Sequence, residues 1–158
     1  MLPMLEVGQS APIFSLPDAD MESVALERFR GKKNIVLYFY PRDGTPSCTL
    51  QATEFSDHEE EFARYDCIVL GVSPDDCLCH AKFRDDNGVS IRLLADTEGE
   101  VSRKYGVLQD GAADGGRKIS VSRATFVIDK KGTVRHVLHD VIPRGHAIEV
   151  LHLVKTLR

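Results

Sequence analysis

Asn34-Ile35-Val36-Leu37-Tyr38-Phe39-Tyr40 is the stretch on which the fold turns. Six apolar or aromatic residues follow one another without a polar interruption. Bounded by Pro41, the run predicts a strand buried on both faces, as in the centre of an α/β sheet. Arg42-Asp43-Gly44 then makes a short loop. Thr45 is a good helix N-cap and Pro46 suits the first helical position, which predicts a helix over Pro46–Tyr65. In open α/β sheets, ligands are met at such carboxyl ends of strands.

Outward from this unit, Cys67-Ile-Val-Leu-Gly-Val72 predicts a second buried strand. A helix follows from near Pro74 to Asn87-Gly88, where glycine is a good stop. Ile91–Ala95 is a shorter strand, and Gly99–Tyr105 a short helix. Gln109–Arg117 reads as a glycine-rich surface loop. Ser122–Asp129 and Thr133–Leu138 read as antiparallel strands joined at Lys130-Lys131-Gly132. His146–Leu157 closes the chain as a helix, with Ile148, Leu151, Val154 and Leu157 at helical spacing. Ahead of all this, Ile13–Leu16 and Val24–Leu26 suggest a hairpin. The order predicts an α/β thioredoxin-like fold: a central mixed β-sheet flanked by helices, with an N-terminal β-hairpin extension.

The chain has 158 residues, the size of one ordinary domain, and no linker divides it, so residues 1–158 are expected to form a single domain. A net charge of −4, with scattered Lys and Arg, gives no electrostatic reason to expect a nucleic acid or an anionic membrane as partner. No apolar run approaches the roughly 20 residues that span a bilayer. The first residues lack the basic and apolar regions of a secretory signal, so the expected compartment is the cytoplasm. There, four cysteines are expected to be reduced rather than stapled.

Of these cysteines Cys48 stands out. Counted from the Thr45 cap it falls in the first helical turn, near N3. Unpaired backbone N–H groups and the positive end of the helix dipole favour a thiolate there, and the thiolate is the reactive form. The plainer reading, a small buried hydrophobe after a strand, does not account for the capped loop around it.

Pro41-x-x-x-Thr45-x-x-Cys48 resembles the peroxidatic signature of the peroxiredoxins. Tyr40-Pro-Arg-Asp-Gly-Thr-Pro-Ser-Cys-Thr49 is similar to their Q-type, or bacterioferritin comigratory protein, subfamily. The likeness extends to Val7–Phe14, Leu70–Ser73 and Arg123–Asp129. It implies a thiol peroxidase acting on hydrogen peroxide and organic hydroperoxides, with no cofactor and no metal. A thioredoxin or similar dithiol would be the reductant, and the protein would be a monomer or small homodimer. By the same resemblance Cys48 attacks the peroxide and Thr45 hydrogen-bonds it. Pro41 shields the thiolate, and Arg123 favours it and contacts the peroxide. Free N–H groups around Ser47 and Cys48 would stabilise developing charge. Gln51, one turn after Cys48, would orient Arg123. Read without the family, Arg123 is a strand-edge surface arginine. Phe39, Tyr40 and Phe83 are expected near the site, where they would tolerate alkyl hydroperoxides.

Attack on peroxide leaves a sulfenic acid, which a second thiol usually condenses with. The subfamily's common position for that thiol, five residues on, is Thr53 here. Its other usual position, in the next helix, is Arg84. Cys67 begins a buried strand and reads as an inert core thiol. Cys77 and Cys79 remain as resolving candidates. Cys77, seven residues before Arg84, returns to nearly the same helical face, whereas Cys79 lies about 140° away. An atypical two-cysteine enzyme is expected, with an intramolecular disulfide from Cys48 to Cys77 or Cys79, and the helical face favours Cys77. A one-cysteine peroxidase, or a peroxide sensor or redox-regulated chaperone, is the alternative. Cys77-x-Cys79-His80 is too compact for a tetrahedral metal site, and the six histidines are dispersed. Cys48-Thr-Leu-Gln51 lacks the second cysteine of a disulfide reductase.

Overall fold

The computed structural model describes residues 5–109 and 120–157. Strands β1 (Ser15–Pro17) and β2 (Ser23–Ala25) form the expected hairpin. A 3-10 turn at Leu26–Phe29 leads to β3 (Asn34–Phe39), every residue of which is buried. Next come α1 (Pro46–Asp57), α2 (Glu59–Arg64), β4 (Cys67–Ser73), α3 (Cys77–Asn87), β5 (Arg92–Ala95) and α4 (Glu100–Lys104). The short strands β6 (Leu108–Gln109) and β7 (Ser120–Val121) pair with each other. The chain ends with β8 (Ala124–Ile128), β9 (Val134–Leu138) and α5 (His146–Lys155). No helix among the described residues is long and apolar enough to cross a membrane.

The main sheet runs β5-β4-β3-β8-β9. The strands β3, β4 and β5 are parallel, as helical crossovers require, while β8 and β9 run antiparallel. Strand pleating then separates two cores. Val36, Tyr38 and Tyr40 point to the face covered by α1, α2, α3 and α5, where Cys48, Phe55, Phe62, Phe83 and Val150 also pack. Ile35, Leu37 and Phe39 point to the other face, against Phe14, Tyr105 and Phe126. Phe39 is thus not beside Cys48, as the sequence suggests; one residue of pleat puts it on the opposite face.

Other boundaries differ for local reasons. The single helix expected over Pro46–Tyr65 is broken at His58, whose φ −105° and ψ 6° end α1. Glu59, Glu60 and Glu61 then favour a fresh helix start, where the dipole is positive. Helix α3 begins at Cys77 rather than Pro74, because Asp76 accepts a hydrogen bond from the Cys79 N–H and acts as the cap. The strand expected over Ser122–Asp129 starts at Ala124, so Arg123 lies between β7 and β8 rather than within a strand. On α5 the buried stripe is Ala147, Val150, Leu151 and Val154, and Ile148 is 48% exposed. The glycine-rich loop expected at Gln109–Arg117 falls almost wholly outside the described residues.

Gly71 in β4 sits opposite Tyr38 in β3. A Cβ added at Gly71 would come 2.8 Å from the Tyr38 ring. Gly71→Ala is therefore expected to lower stability by about 1–3 kcal/mol through overpacking. Urea unfolding followed by circular dichroism measures this, and an unchanged midpoint would contradict the close approach of the ring.

Candidate active site

Thr45 has extended backbone angles, φ −76° and ψ 151°, and its Oγ1 accepts a hydrogen bond from the Cys48 N–H at 3.2 Å. Its carbonyl accepts the Thr49 N–H at 2.9 Å and the Thr49 hydroxyl at 2.8 Å. The cap and Pro46 thus define the helix start as the sequence predicts, and Cys48 takes the third helical position. The Cys48 N–H, however, is occupied by the cap. Of the N–H groups expected to be free around Ser47 and Cys48, that of Cys48 is therefore taken.

Cys48 is 1% exposed. The Arg123 Nη2 donates to its Sγ at 3.3 Å, and Nη1 donates to the Gln51 Oε1 at 2.7 Å. The bland reading of Arg123 as a surface residue is thereby overturned. The register of β3 with β8 explains the meeting: Phe39 pairs with Ala124, so the residue before Ala124 stands beside the loop after β3. Gln51 is itself buried, and its second amide atom, Nε2, has no partner among the described residues. Tyr40 and Phe83 share a core with Cys48 as expected, while Pro41 ends β3 and is exposed.

A second group of contacts fixes the loop and was not read from the sequence. The Asp43 side chain is 2% exposed, and its Oδ1 accepts the Tyr40 hydroxyl at 2.7 Å. Its Oδ2 lies 2.6 Å from His80 Nδ1, whose ring is fully buried. The other ring nitrogen, Nε2, faces the Leu94 carbonyl at 3.0 Å. Both ring nitrogens thus face oxygen acceptors, a carboxylate on one side and a carbonyl on the other. The Asp43 N–H donates to Asp75 Oδ2 at 2.7 Å, which also accepts the Ser73 hydroxyl. The loop is therefore tied to the end of β4, to α3 and to β5. A polar residue in a loop and a histidine in a helix carry no local sign of such a pairing.

Cys67 is buried, and burial pushes its thiol up to about 12, consistent with an inert core residue. Cys77 and Cys79 both lie in the first turn of α3, and like Cys48 both are free thiols. Partial desolvation and then Asp76 and Asp18 raise the Cys77 thiol. His146, the other fully buried histidine, contacts Thr125 Oγ1 at 2.7 Å, and burial holds it below its usual range.

The chain matches the AhpC/TSA family over residues 7–137. It is 37% identical to peroxiredoxin Bcp of Bacillus subtilis over 153 residues, which is 97% of each chain. Chloroplastic peroxiredoxin Q of rice is 36% identical over 153 residues, 95% of this chain and 67% of its own length. Among solved structures, peroxidoxin BcpB of Mycobacterium tuberculosis superposes with a TM-score of 0.90 at 31% identity, covering 98% of this chain and 99% of its own. The bacterioferritin comigratory protein of Xanthomonas campestris, whose structures concern alkyl peroxide reduction, gives a TM-score of 0.83 at 28% identity over 90% of each chain. The chain belongs to the AhpC/TSA family and is a thioredoxin-like thiol peroxidase. Within that family its likeness is to the Bcp and Q-type peroxiredoxins.

His80→Ala would leave the Asp43 carboxylate buried beside an empty space. A loss of about 3–5 kcal/mol in unfolding free energy is expected. Adding Asp43→Asn in the same chain should restore part of it, a coupling that a double-mutant cycle in urea reads directly.

Proposed function

We propose that Cys48 is the peroxidatic residue of this enzyme and that Thr45, Arg123 and Pro41 assist it. The observation that carries the reading is the Arg123 guanidinium 3.3 Å from the Cys48 sulfur and held in place by Gln51. A guanidinium at this distance is placed to offset negative charge at the reacting atoms. The thiolate attacks the terminal oxygen of a hydroperoxide. The O–O bond breaks, Cys48 becomes a sulfenic acid, and the alkoxide or hydroxide leaves and takes a proton from water. The second oxygen develops negative charge, which Arg123 and the Ser47 N–H are positioned to offset. The Thr45 hydroxyl accepts from the Cys48 N–H, so its own proton is available to a peroxide oxygen. Pro41, at the start of the loop, limits access of bulk water to the sulfur.

Hydrogen peroxide and organic hydroperoxides are the substrates of this reading. A second thiol of the same chain closes a disulfide with Cys48, and a thioredoxin-type dithiol reopens it. Residues 1–158 act as one catalytic domain, a cytoplasmic monomer or small homodimer that engages neither nucleic acid nor membrane.

In a thioredoxin-coupled assay, Cys48→Ser is expected to abolish peroxide consumption; retained turnover would overturn the assignment. Arg123→Met removes the charge and keeps the bulk, and should lower kcat/KM roughly ten- to hundredfold, the worth of one hydrogen bond to a charged group. A wild-type chain that oxidises once and never turns over would favour a sensor instead.

A further inference from the structure

Cys77 and Cys79 point in different directions. Two residues along a helix turn the side chain by about 200°. Cys77 lies under the influence of Asp18, in the turn of the β1–β2 hairpin, and Arg84 on the same face pairs with Asp20 of that turn at 2.9 Å. Cys79 faces the Cys48 loop instead. Its Sγ, a carboxylate oxygen of Asp43 and one of Asp75 all lie within 4.8 Å of one another. Asp43 is five residues before Cys48 on the same loop.

We propose that Cys79 is the thiol that condenses with oxidised Cys48, and that Asp43 holds it in reserve until the loop opens. The proposal rests on Cys48 as the peroxidatic residue. In the step itself the Cys79 sulfur displaces the hydroxyl of the Cys48 sulfenic acid. An S–S bond forms, the S–O bond breaks, and the departing hydroxide takes up the thiol proton as water. The Cys79 sulfur is oxidised and the Cys48 sulfur reduced, so no outside oxidant enters.

The reserve follows from electrostatics and connectivity together. Cys79 is exposed as a residue, yet partial desolvation and then Asp75 and Asp43 push its thiol up to about 12. Beside two carboxylates it stays protonated and does not compete for peroxide. The β-carbons of a disulfide lie about 4 Å apart, so Cys48 and its loop must move to meet Cys79. Asp43 moves with that loop, and the charge that restrains Cys79 is withdrawn as Cys48 arrives. The Asp43–His80 pair is the tie that must release.

The test treats wild type with one equivalent of hydrogen peroxide and maps the peptides without reduction. A Cys48–Cys79 disulfide, kept in Cys77→Ser and lost in Cys79→Ser, is expected. A Cys48–Cys77 disulfide, or a Cys48 sulfinic acid with no disulfide, overturns the assignment. Iodoacetamide labelling of reduced Cys79 at pH 8 tests the reserve. Asp43→Asn should speed it about tenfold, the change in thiolate fraction for one pKa unit. Asp75→Asn leaves the Asp43–His80 pair in place and should also speed it, so a fold defect in the first variant does not decide the matter. Labelling unchanged in Asp75→Asn, and in Asp43→Asn where it folds, overturns the reserve. Dimedone capture of a Cys48 sulfenic acid in Cys77→Ser/Cys79→Ser keeps the two readings apart. Its presence upholds Cys48 even if Cys79 fails, and its absence sinks both.

Discussion

The contact between the Arg123 guanidinium and the Cys48 sulfur joins positions 75 residues apart, and it exists only because β8 lies against β3 in one register. A slip of a single residue would turn every side chain of β8 to the opposite face of the sheet. Val127 would leave the core that holds Cys48, and Thr125 would lose His146. Arg123 would no longer stand at the end of β3. The register is held by burial on both faces of these strands, where Phe126 and Val127 go to opposite cores. The chemistry of the site is therefore underwritten by hydrophobic packing well away from it.

Around that contact the loop is held at two ends by different physics. At its helix end the Thr45 side chain and Pro46 set the position of Cys48 by local backbone preference. At its strand end Asp43 is buried against His80, Tyr40 and the Asp75–Ser73 pair. The first anchor is half-buried and modest in energy. The second is desolvated, so removing either partner leaves the other stranded. Together the two anchors fix Cys48 for attack, and both must part in the proposed resolution step.

This difference also decides what the sequence disclosed. The strand Asn34–Phe39, the cap at Thr45 and the placement of Cys48 are local properties, and they appear as expected. So do the strand–helix alternation and the mixed sheet. Arg123 was legible only through the family motif, since nothing near it in sequence marks a residue whose partners are Cys48 and Gln51. Asp43 and His80 carried no usable signal, because a pair 37 residues apart is settled by the packing of α3 on the loop. The placement of Phe39 erred through pleating, and the α1–α2 break through three consecutive glutamates that begin a helix as readily as they continue one.

The position of Cys48 within α1 has one more consequence. Helices open most readily from their ends, and an N-cap is worth only about 1 kcal/mol. Freeing the thiol from its helix calls for the cap bond and the first turn to part, while Ala52 and Phe55 stay in the core below. The reactive sulfur thus lies at the frayed end of a rope whose middle is clamped. Its exposure is a local opening rather than a global one, and the enzyme can cycle without melting the domain around it.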